Sequence, residues 1–287
     1  MVAMPHTAAG SPVSNPWIGV LPALLLMAAF FAVPILYTIG LSFSSEAQEG
    51  LTLDNYRAFF VEARLVDALL RTLILAVSVV VLSTLVAYPL AYFLAFVVPA
   101  GWRSVCLFLL VAPFWTSFTI RAFSWQLVLS DSGVIAWLIG KGTGLSVSLG
   151  FLYTLAASIF GLSLFGVMLI TLMTYSVMVT IDRRLIEANI VLGGSGWTAF
   201  REVVLPLSLP GWMIGAVLTF IIAVGDYAVP ALLGGGFKPV LAQVMLSVLK
   251  GTYDLPTAAT FASILVMLIV AGSTPLLLLV RGVRLQG

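Results

Sequence analysis

Long stretches without charge limit how this chain can fold more than any other feature of its sequence. Residues 72–102, 142–181, 203–225 and 255–280 each lack Asp, Glu, Lys and Arg, and so does the segment 1–45. A helix needs about 20 apolar residues to cross the hydrocarbon core of a bilayer. The chain is 61% hydrophobic and 8% charged, whereas soluble domains carry about 25% charged residues. The sequence therefore predicts an all-α, polytopic membrane protein.

The uncharged runs predict six transmembrane helices, which places both termini on the same side of the membrane. Residues 1–16 contain no Lys or Arg, so they are expected to form a disordered leader rather than a signal peptide with a basic start. Residues 17–287 then form the membrane domain. Lys and Arg divide almost evenly between the two sides, so the positive-inside rule does not choose the orientation. The expected spans are Trp17–Phe43, Leu69–Val97, just after Arg103 to Leu129, Leu149–Thr180, Gly211–Leu233 and Ala258–Val280.

Composition excludes several kinds of chemistry. The sequence has a single cysteine, Cys106, and a single histidine, His6, so Cys and His clusters for zinc and Cys–His nucleophiles cannot form. It also lacks the pattern G-x-x-x-x-G-K-[ST], whose backbone cradles nucleotide phosphates. A net charge of +2 is too slight to indicate binding to nucleic acid. We therefore expect no metal site and no cofactor.

The segment between the fourth and fifth predicted spans, about residues 181–210, is too polar to cross a membrane. Asp182 is placed to cap a short helix that ends at Gly193. Ser195 is placed to cap a second short helix that ends at Pro206, because proline interrupts helices. Two short helices joined at glycines predict a compact knob outside the membrane.

This knob has the composition of a docking surface. Small Ala188 and Gly193 leave the backbone open to close approach, while the bulky apolar Leu192, Trp197 and Phe200 could anchor it in a groove of another protein. The alternative is an ordinary connector between two spans. Connectors in compact domains have a median length of about 4–6 residues, so the length of this segment favours docking.

The same segment resembles the EAA loop of ABC-importer permeases. In that loop the order is Glu-Ala-Ala, three residues, Gly, and then Leu-Pro about twelve residues further on. This chain departs at Asn189, where a second alanine is usual. The resemblance implies that the loop is cytoplasmic, as are the leader and both termini, and that it couples the spans to a separate ATPase. The matching residues are Glu187, Ala188, Gly193, Phe200, Leu205 and Pro206.

Four further segments resemble the spermidine/putrescine permease group, and most of all its first-permease (B/H-type) subunit. They are "LDNYRAFF", "AYPLAYFLA", "APFWTSFTIRAFSWQLVLSDSGVIAWLI" and "AVGDYAVPALLGG". The resemblance implies an ABC-importer permease (MetI-like) fold in a bacterial inner membrane. It also implies transport of polyamines or a similar small cation handed over by a binding protein.

The partners that this resemblance implies are an ABC ATPase dimer, a second permease subunit, a periplasmic or lipid-anchored solute-binding protein and membrane lipid. ATP hydrolysis would then take place in the ATPase, so the chain itself is not expected to be an enzyme. A permease for another small solute, such as iron, an amino acid or an opine, remains an alternative. A self-contained secondary transporter is a further alternative, although such proteins usually show internal repeats and we find none.

Candidate residues for a substrate pathway come from polar and aromatic groups near membrane depth. Ionisable residues within spans are functional candidates by default, which singles out Arg121 and Asp226; Arg121 could instead snorkel to the interface. Asp226 could attract a cation, or it could pair with Arg121 or Lys238 or mark a helix break near Pro230. Aromatic rings could form an interface belt or bind an ammonium group by cation–π contact. The aromatic candidates are Trp115, Trp125 and Tyr227.

Overall fold

A computed structural model describes residues 16–44, 50–143 and 150–284, and every regular element in these ranges is helical. The first half of the chain contains α1 (Pro16–Met27), α2 (Val33–Ser42), α3 (Asp54–Val61), α4 (Ala63–Tyr92), α5 (Ala100–Val111), α6 (Phe118–Leu129) and α7 (Val134–Thr143). The second half contains α8 (Leu155–Met178), α9 (Arg183–Val191), α10 (Gly196–Ala199), α11 (Leu205–Gly225), α12 (Ala228–Leu233), α13 (Leu241–Gly251) and α14 (Leu255–Arg284). The all-α class is confirmed.

Six helical stretches among the described residues are long and apolar enough to cross a membrane, which confirms the predicted number. The expected leader lies outside the described residues except for Pro16, which begins α1. The six stretches are Val20–Ser42, Ala63–Val97, Phe118–Gly142, Leu155–Met178, Gly196–Gly225 and Leu255–Pro275.

The expected third span was wrong, because the chain breaks within it. A 3-10 turn, Ala112–Trp115, follows α5, and Thr116 then adopts an extended backbone. Pro113 supplies no N–H to the helix, and the Thr116 hydroxyl donates to the carbonyl of Pro113 at 2.8 Å. A local bond from a side chain competes with the helical ladder at this point, so the spanning stretch begins only at Phe118.

The expected fifth span was also misplaced at both ends. Its helix starts in the polar segment at Gly196, passes Pro206 and ends at Gly225. A π turn, Phe200–Val204, comes just before Pro206, and Leu205 N–H donates to the carbonyl of Phe200. In a π turn each N–H bonds to the carbonyl five residues earlier, which shifts the hydrogen-bond register by one residue. The helix therefore continues through Pro206, although Pro206 has no N–H. The predicted stop at Pro206 was therefore wrong.

Helices α4, α8 and α11 form the centre of the bundle, and small residues bring them close together. A Cβ atom added at Gly215 of α11 would lie 2.8 Å from Ile170 Cα of α8. Polar side chains join the same helices: Trp212 Nε1 donates to Thr84 Oγ1 at 3.0 Å, and Ser83 Oγ donates to the carbonyl of Ser163 at 3.1 Å. Close contact through small residues, reinforced by interhelical hydrogen bonds, is how helices associate in lipid.

The bundle has two different ends. At one end the last turns of α4 and α8 meet the start of the Gly196–Gly225 helix, around buried Met178 and Val204. At the other end α3, α12, α13 and the start of α14 pack around the last turns of that same helix. The helix therefore connects the polar segment to the opposite end over 30 residues, or about 45 Å at 1.5 Å per residue.

Candidate functional site

The polar segment folds into the predicted knob, which we define as residues 181–205. Asp182 Oδ1 accepts the N–H of Arg184 at 2.9 Å at the start of α9. The helix ends at Val191 with Leu192 as its C-cap, and Gly193 follows with φ of +94°, a conformation that glycine adopts without steric cost. Both predicted boundaries of this helix are confirmed.

The second arm of the knob begins as the sequence predicts. Ser195 Oγ accepts the N–H of Thr198 at 3.2 Å and caps α10. From there α10, the π turn and α11 run as one helix into the membrane domain. The knob is therefore attached directly to a central helix of the bundle.

The surface of the knob carries large exposed apolar side chains among its charged ones, although it lies outside the bundle. Leu192 is 88% exposed and Trp197 is 70% exposed. Glu187 and Ala188 are exposed beside them, and no atom lies within 4 Å of a Cβ built on Gly193. Exposed apolar side chains grouped in this way mark sites of protein–protein contact.

Phe200, Leu205 and Pro206 lie deeper, at the base of the knob, and are only partly exposed. The Phe200 ring is stacked on Trp197, with centroids 5.4 Å apart. It also meets two rings of α4 edge to face, Tyr92 at 5.7 Å and Tyr88 at 6.1 Å. Phe200 therefore supports the knob from its base, and the exposed surface consists of the docking candidates other than Phe200, Leu205 and Pro206.

The aromatic base of the knob, which we define as Tyr88, Tyr92, Phe96, Trp197 and Phe200, was not anticipated as a unit. Tyr92 and Phe96 have ring centroids 5.1 Å apart. Tyr88 lies within hydrogen-bond distance of α11, with its hydroxyl 2.5 Å from Ser208 Oγ. A signal was present in the sequence, where Tyr88, Tyr92 and Phe96 recur every four positions and so share one face of a helix.

Arg121 is surrounded by aromatic rings. Its guanidinium carbon lies 4.3 Å from the ring centroid of Phe114, 5.3 Å from that of Phe118 and 6.0 Å from that of Phe165. Nη1 also donates to the carbonyl of Pro113 at 3.4 Å. The negative faces of aromatic rings attract such a cation, so Arg121 is stabilised without the carboxylate partner that one hypothesis assigned to it.

Arg121 and Trp125 line the same open cavity of about 500 Å³ between α4, α5, α6 and α8. Trp125 meets Phe160 edge to face at 5.0 Å within this cavity. Trp115 points elsewhere; it is 75% exposed and contacts Phe108. The structure thus brings together two of the five pathway candidates. The remaining lining residues are Leu82, Val86, Leu109, Leu110, Pro113, Phe114, Ser163, Leu164 and Val167.

Asp226 lies at a helix break rather than on a helix face. The Gly196–Gly225 helix ends one residue earlier, and the Asp226 carboxylate accepts the N–H groups of Ala228 at 3.2 Å and Val229 at 3.1 Å. It therefore caps the start of α12. The ion pairs found among the described residues do not include it, so the pairing with Arg121 or Lys238 is not observed. The break occurs at Asp226 and Tyr227, four residues before the position expected near Pro230.

A larger open cavity of about 810 Å³ lies at the opposite end of the bundle from the knob. Its charged lining includes Asp67 and Arg71, whose side chains are 3.5 Å apart, and Lys238. Phe237 also lines it, directly after Gly235 and Gly236, which have positive φ angles. Sequence reasoning missed this cavity because its walls come from segments far apart in the chain.

Comparison with known protein families identifies the family of this chain. Residues 58–284 match the family model described as the binding-protein-dependent transport system inner membrane component. The chain belongs to this family. It is a multi-pass inner-membrane permease component, as the resemblance of the knob implied.

Individual relatives show which permeases within this family the chain resembles. The chain is 32% identical to the inner membrane ABC transporter permease protein YdcU of Escherichia coli (strain K12), over 79% of this chain and 75% of that protein. It is 30% identical to the spermidine/putrescine transport system permease protein PotB of the same organism, over 80% of this chain and 85% of that protein. The predicted resemblance to the spermidine/putrescine permease group is confirmed.

Solved structures share the fold. A crystal structure of a bacterial ABC transporter that imports the acidic polysaccharide alginate contains a chain with a TM-score of 0.73 and 19% identity, covering 90% of this chain and 93% of that one. An inward-facing structure of the MetNI methionine ABC transporter gives a TM-score of 0.54 and 21% identity, covering 74% and 93%. At these identities the likeness establishes the fold alone, and it confirms the predicted ABC-importer permease fold.

Proposed function

We propose that this chain is one permease subunit of an ATP-driven importer that translocates putrescine, spermidine or a similar small cationic solute. The observation that carries the coupling role is the knob with its exposed Leu192 and Trp197, which continues as one helix into the bundle. The similarity to PotB over most of both chains supports the substrate class. A solute-binding protein, periplasmic or anchored by lipid, would hand over the solute.

The knob faces the cytoplasm in this proposal, as do both termini and the leader, residues 1–16. An ABC ATPase dimer binds and hydrolyses ATP, and one ATPase receives the knob in a groove. A second permease subunit completes the pathway, and membrane lipid surrounds the pair. Reporter fusions test the orientation: a reporter at Gly194 should be cytoplasmic and one at Lys141 external. An external Gly194 would contradict both the topology and the docking role.

The path of the force follows from the contacts at the base of the knob. A push on Trp197 and Phe200 reaches α4 through Tyr88 and Tyr92, whose rings meet Phe200 edge to face. The same push reaches α11 along an unbroken helix. Because that helix ends at Gly225, just before Asp226, its far end can swing relative to α12, which is where a pathway would open and close.

The substrate pathway is proposed to include Arg121, Trp125, Asp226, Tyr227 and Trp115. Trp125 and its neighbouring ring in the cavity present faces that bind an ammonium group by cation–π contact. Asp226 adds negative charge at the helix break. Trp115 and Tyr227 are exposed on this subunit, so they would reach the solute from the surface shared with the second permease.

Uptake measurements test the function as a whole. Cells that lack this gene should lose uptake of radiolabelled putrescine and spermidine and regain it on complementation, provided that the partner ATPase is intact. Uptake that persists without the ATPase would favour a secondary transporter. Uptake of iron, an amino acid or an opine, but of neither polyamine, would retain the importer and replace its substrate.

A further inference from the structure

A side-chain hydrogen bond joins the two arms of the knob. Asn189 of α9 donates from Nδ2 to Glu202 Oε2 of the π turn at 3.0 Å. The turn between the arms also closes on Asn189, because Gly194 N–H donates to its carbonyl at 3.0 Å. A Cβ added at Gly194 would collide with Asn189 Oδ1, so the turn fits around this side chain closely.

The position of the Asn189 amide is energetically unfavourable in one respect. Its Oδ1 is buried and has no hydrogen-bond partner among the described residues. A buried polar atom without a partner is unfavourable and calls for an explanation. Since a carboxylate can only accept hydrogen bonds, the amide must turn Nδ2 toward Glu202 and leave Oδ1 facing Gly194. The bond to Glu202 therefore determines the orientation of this side chain.

Packing holds α9 only in part, through Ile186, which is partly buried against the cluster around Met178 and Val204. The helix has no buried residue, and a helix of nine residues is too short to be stable by itself in water. Hydrogen bonds to a charged group are stronger than neutral ones. The contact between Asn189 and Glu202 is therefore suited to set the angle between the arm that carries Glu187 and the arm that carries Trp197.

We propose that Asn189 is a positioning residue that locks the two arms of the knob in the shape that the ATPase subunit recognises. This inference rests on the proposed docking role of the knob. Asn189 stands where the resembling loop has alanine, so the lock is a property of this chain's own sequence. Its partner Glu202 and the crowded Gly194 complete the device.

An exchange of hydrogen-bond partners tests the lock in the complete transporter, with the second permease, the ATPase and the binding protein in proteoliposomes. Asn189→Asp places two carboxylates opposite each other and should lower polyamine uptake about 10-fold, as expected for losing a charge-assisted bond. Glu202→Gln keeps an acceptor for Nδ2 and should transport nearly as well as the wild type. The double variant Asn189→Asp, Glu202→Gln restores a donor and a carboxylate in reversed order and should recover most of the uptake.

Recovery in the double variant is an outcome that a general loss of stability would not produce. Wild-type uptake by Asn189→Asp, or a double variant as impaired as that single variant, would overturn the lock. If Asn189→Asp does not accumulate in the membrane, Asn189→Ala serves instead. Alanine favours the helix, so a loss of about threefold in uptake would support the lock and unchanged uptake would overturn it.

A separate variant distinguishes the lock from the docking role on which it rests. Gly193→Asp adds a charge to the knob surface at a residue whose own N–H bonds to Ile190 rather than to Asn189 or Glu202, and Gly193→Asn controls for the strain that a side chain meets at a φ of +94°. If Gly193→Asp abolishes uptake while Asn189→Asp does not change it, the knob docks and only the lock fails. If Gly193→Asp transports fully, the docking role itself is wrong.

Discussion

The knob and the helix break at Asp226 lie at opposite ends of one helix, and they use polar groups in opposite ways. At the knob, Asp182 and Ser195 satisfy the helix starts. Leu192 remains exposed, and Trp197 remains largely exposed although one side of its ring is stacked on Phe200. At the break, the Asp226 carboxylate is engaged with backbone N–H groups. An exposed apolar side chain that stabilises nothing within its own chain indicates a partner, whereas a carboxylate that caps a helix already has a structural role.

This difference ranks the two regions by expected sensitivity. Substitutions on the knob surface should stop transport and leave the fold intact, because that surface makes few contacts within the chain. Substitutions of Asp226 and Arg121 should change transport less, because part of the role of these side chains is to stabilise the local structure.

The largest effect is expected for Gly193→Asp. It places a charge and a side chain where close approach of the ATPase is expected, and uptake should fall to background, roughly 100-fold or more, as at a central interface position. Membrane insertion should stay normal, and copurification of the ATPase should weaken.

Two controls isolate the cause of that loss. Gly193→Asn adds a side chain without charge, and Asn tolerates positive φ better than most residues, so its loss should be smaller. Gly251→Asp makes the same change on α13, at the end of the bundle opposite the knob. No atom lies within 4 Å of a Cβ built on Gly251, so this variant should transport normally. Full uptake by Gly193→Asp would show that the knob surface is not more sensitive to substitution than the helix break at Asp226.

The next largest effect is expected for Phe200→Ala. The ring joins Trp197 to Tyr88 and Tyr92, and its removal should cost about 2–3 kcal/mol in stability, below the 3–5 kcal/mol of a fully buried phenylalanine. Uptake per ATP hydrolysed should fall about 10-fold if roughly half of this energy, about 1.4 kcal/mol, is lost from the coupling. Phe200→Tyr, which keeps the ring, is the control. A variant that is destabilised yet couples normally would show that force does not pass through this ring.

A smaller effect is expected for Asp226→Asn. Asparagine also caps helices, so α12 should keep its start while the negative charge is lost. Uptake should fall about threefold, as expected for a partly screened charge, and more for spermidine than for putrescine because spermidine carries more charge. Competition assays with both solutes measure this. Unchanged uptake, or failure to assemble, would leave Asp226 with its structural role alone.

The smallest effect is expected for Arg121→Lys. The charge is kept, but the planar guanidinium that lies over Phe114 is lost, which should cost about 0.5–1 kcal/mol. Thermal unfolding in detergent should show this loss, with uptake within about twofold of the wild type. Arg121→Gln removes the charge as well and should be less stable than Arg121→Lys. Equal stability of the two variants would show that the aromatic rings do not hold the cation.

Local features of the sequence determined much of this protein. The number of spans could be predicted, because about twenty apolar residues in succession favour the membrane whatever surrounds them; the bounds of the third and fifth could not. The caps at Asp182 and Ser195 and the turn at Gly193 could be predicted because they depend on backbone bonds only a few residues away. The knob could therefore be drawn from one short stretch of sequence.

The other features were decided by the tertiary structure alone, because contacts between residues far apart in the sequence depend on how the helices pack. Proline at 206 indicates a helix end by itself, but a π turn carries the helix past it. Arg121 could have met a carboxylate or the interface, and the packing of α8 against α6 brought the Phe165 ring to it instead. Asn189 looked like a harmless departure from a motif until the two arms folded together and brought Glu202 within hydrogen-bond distance.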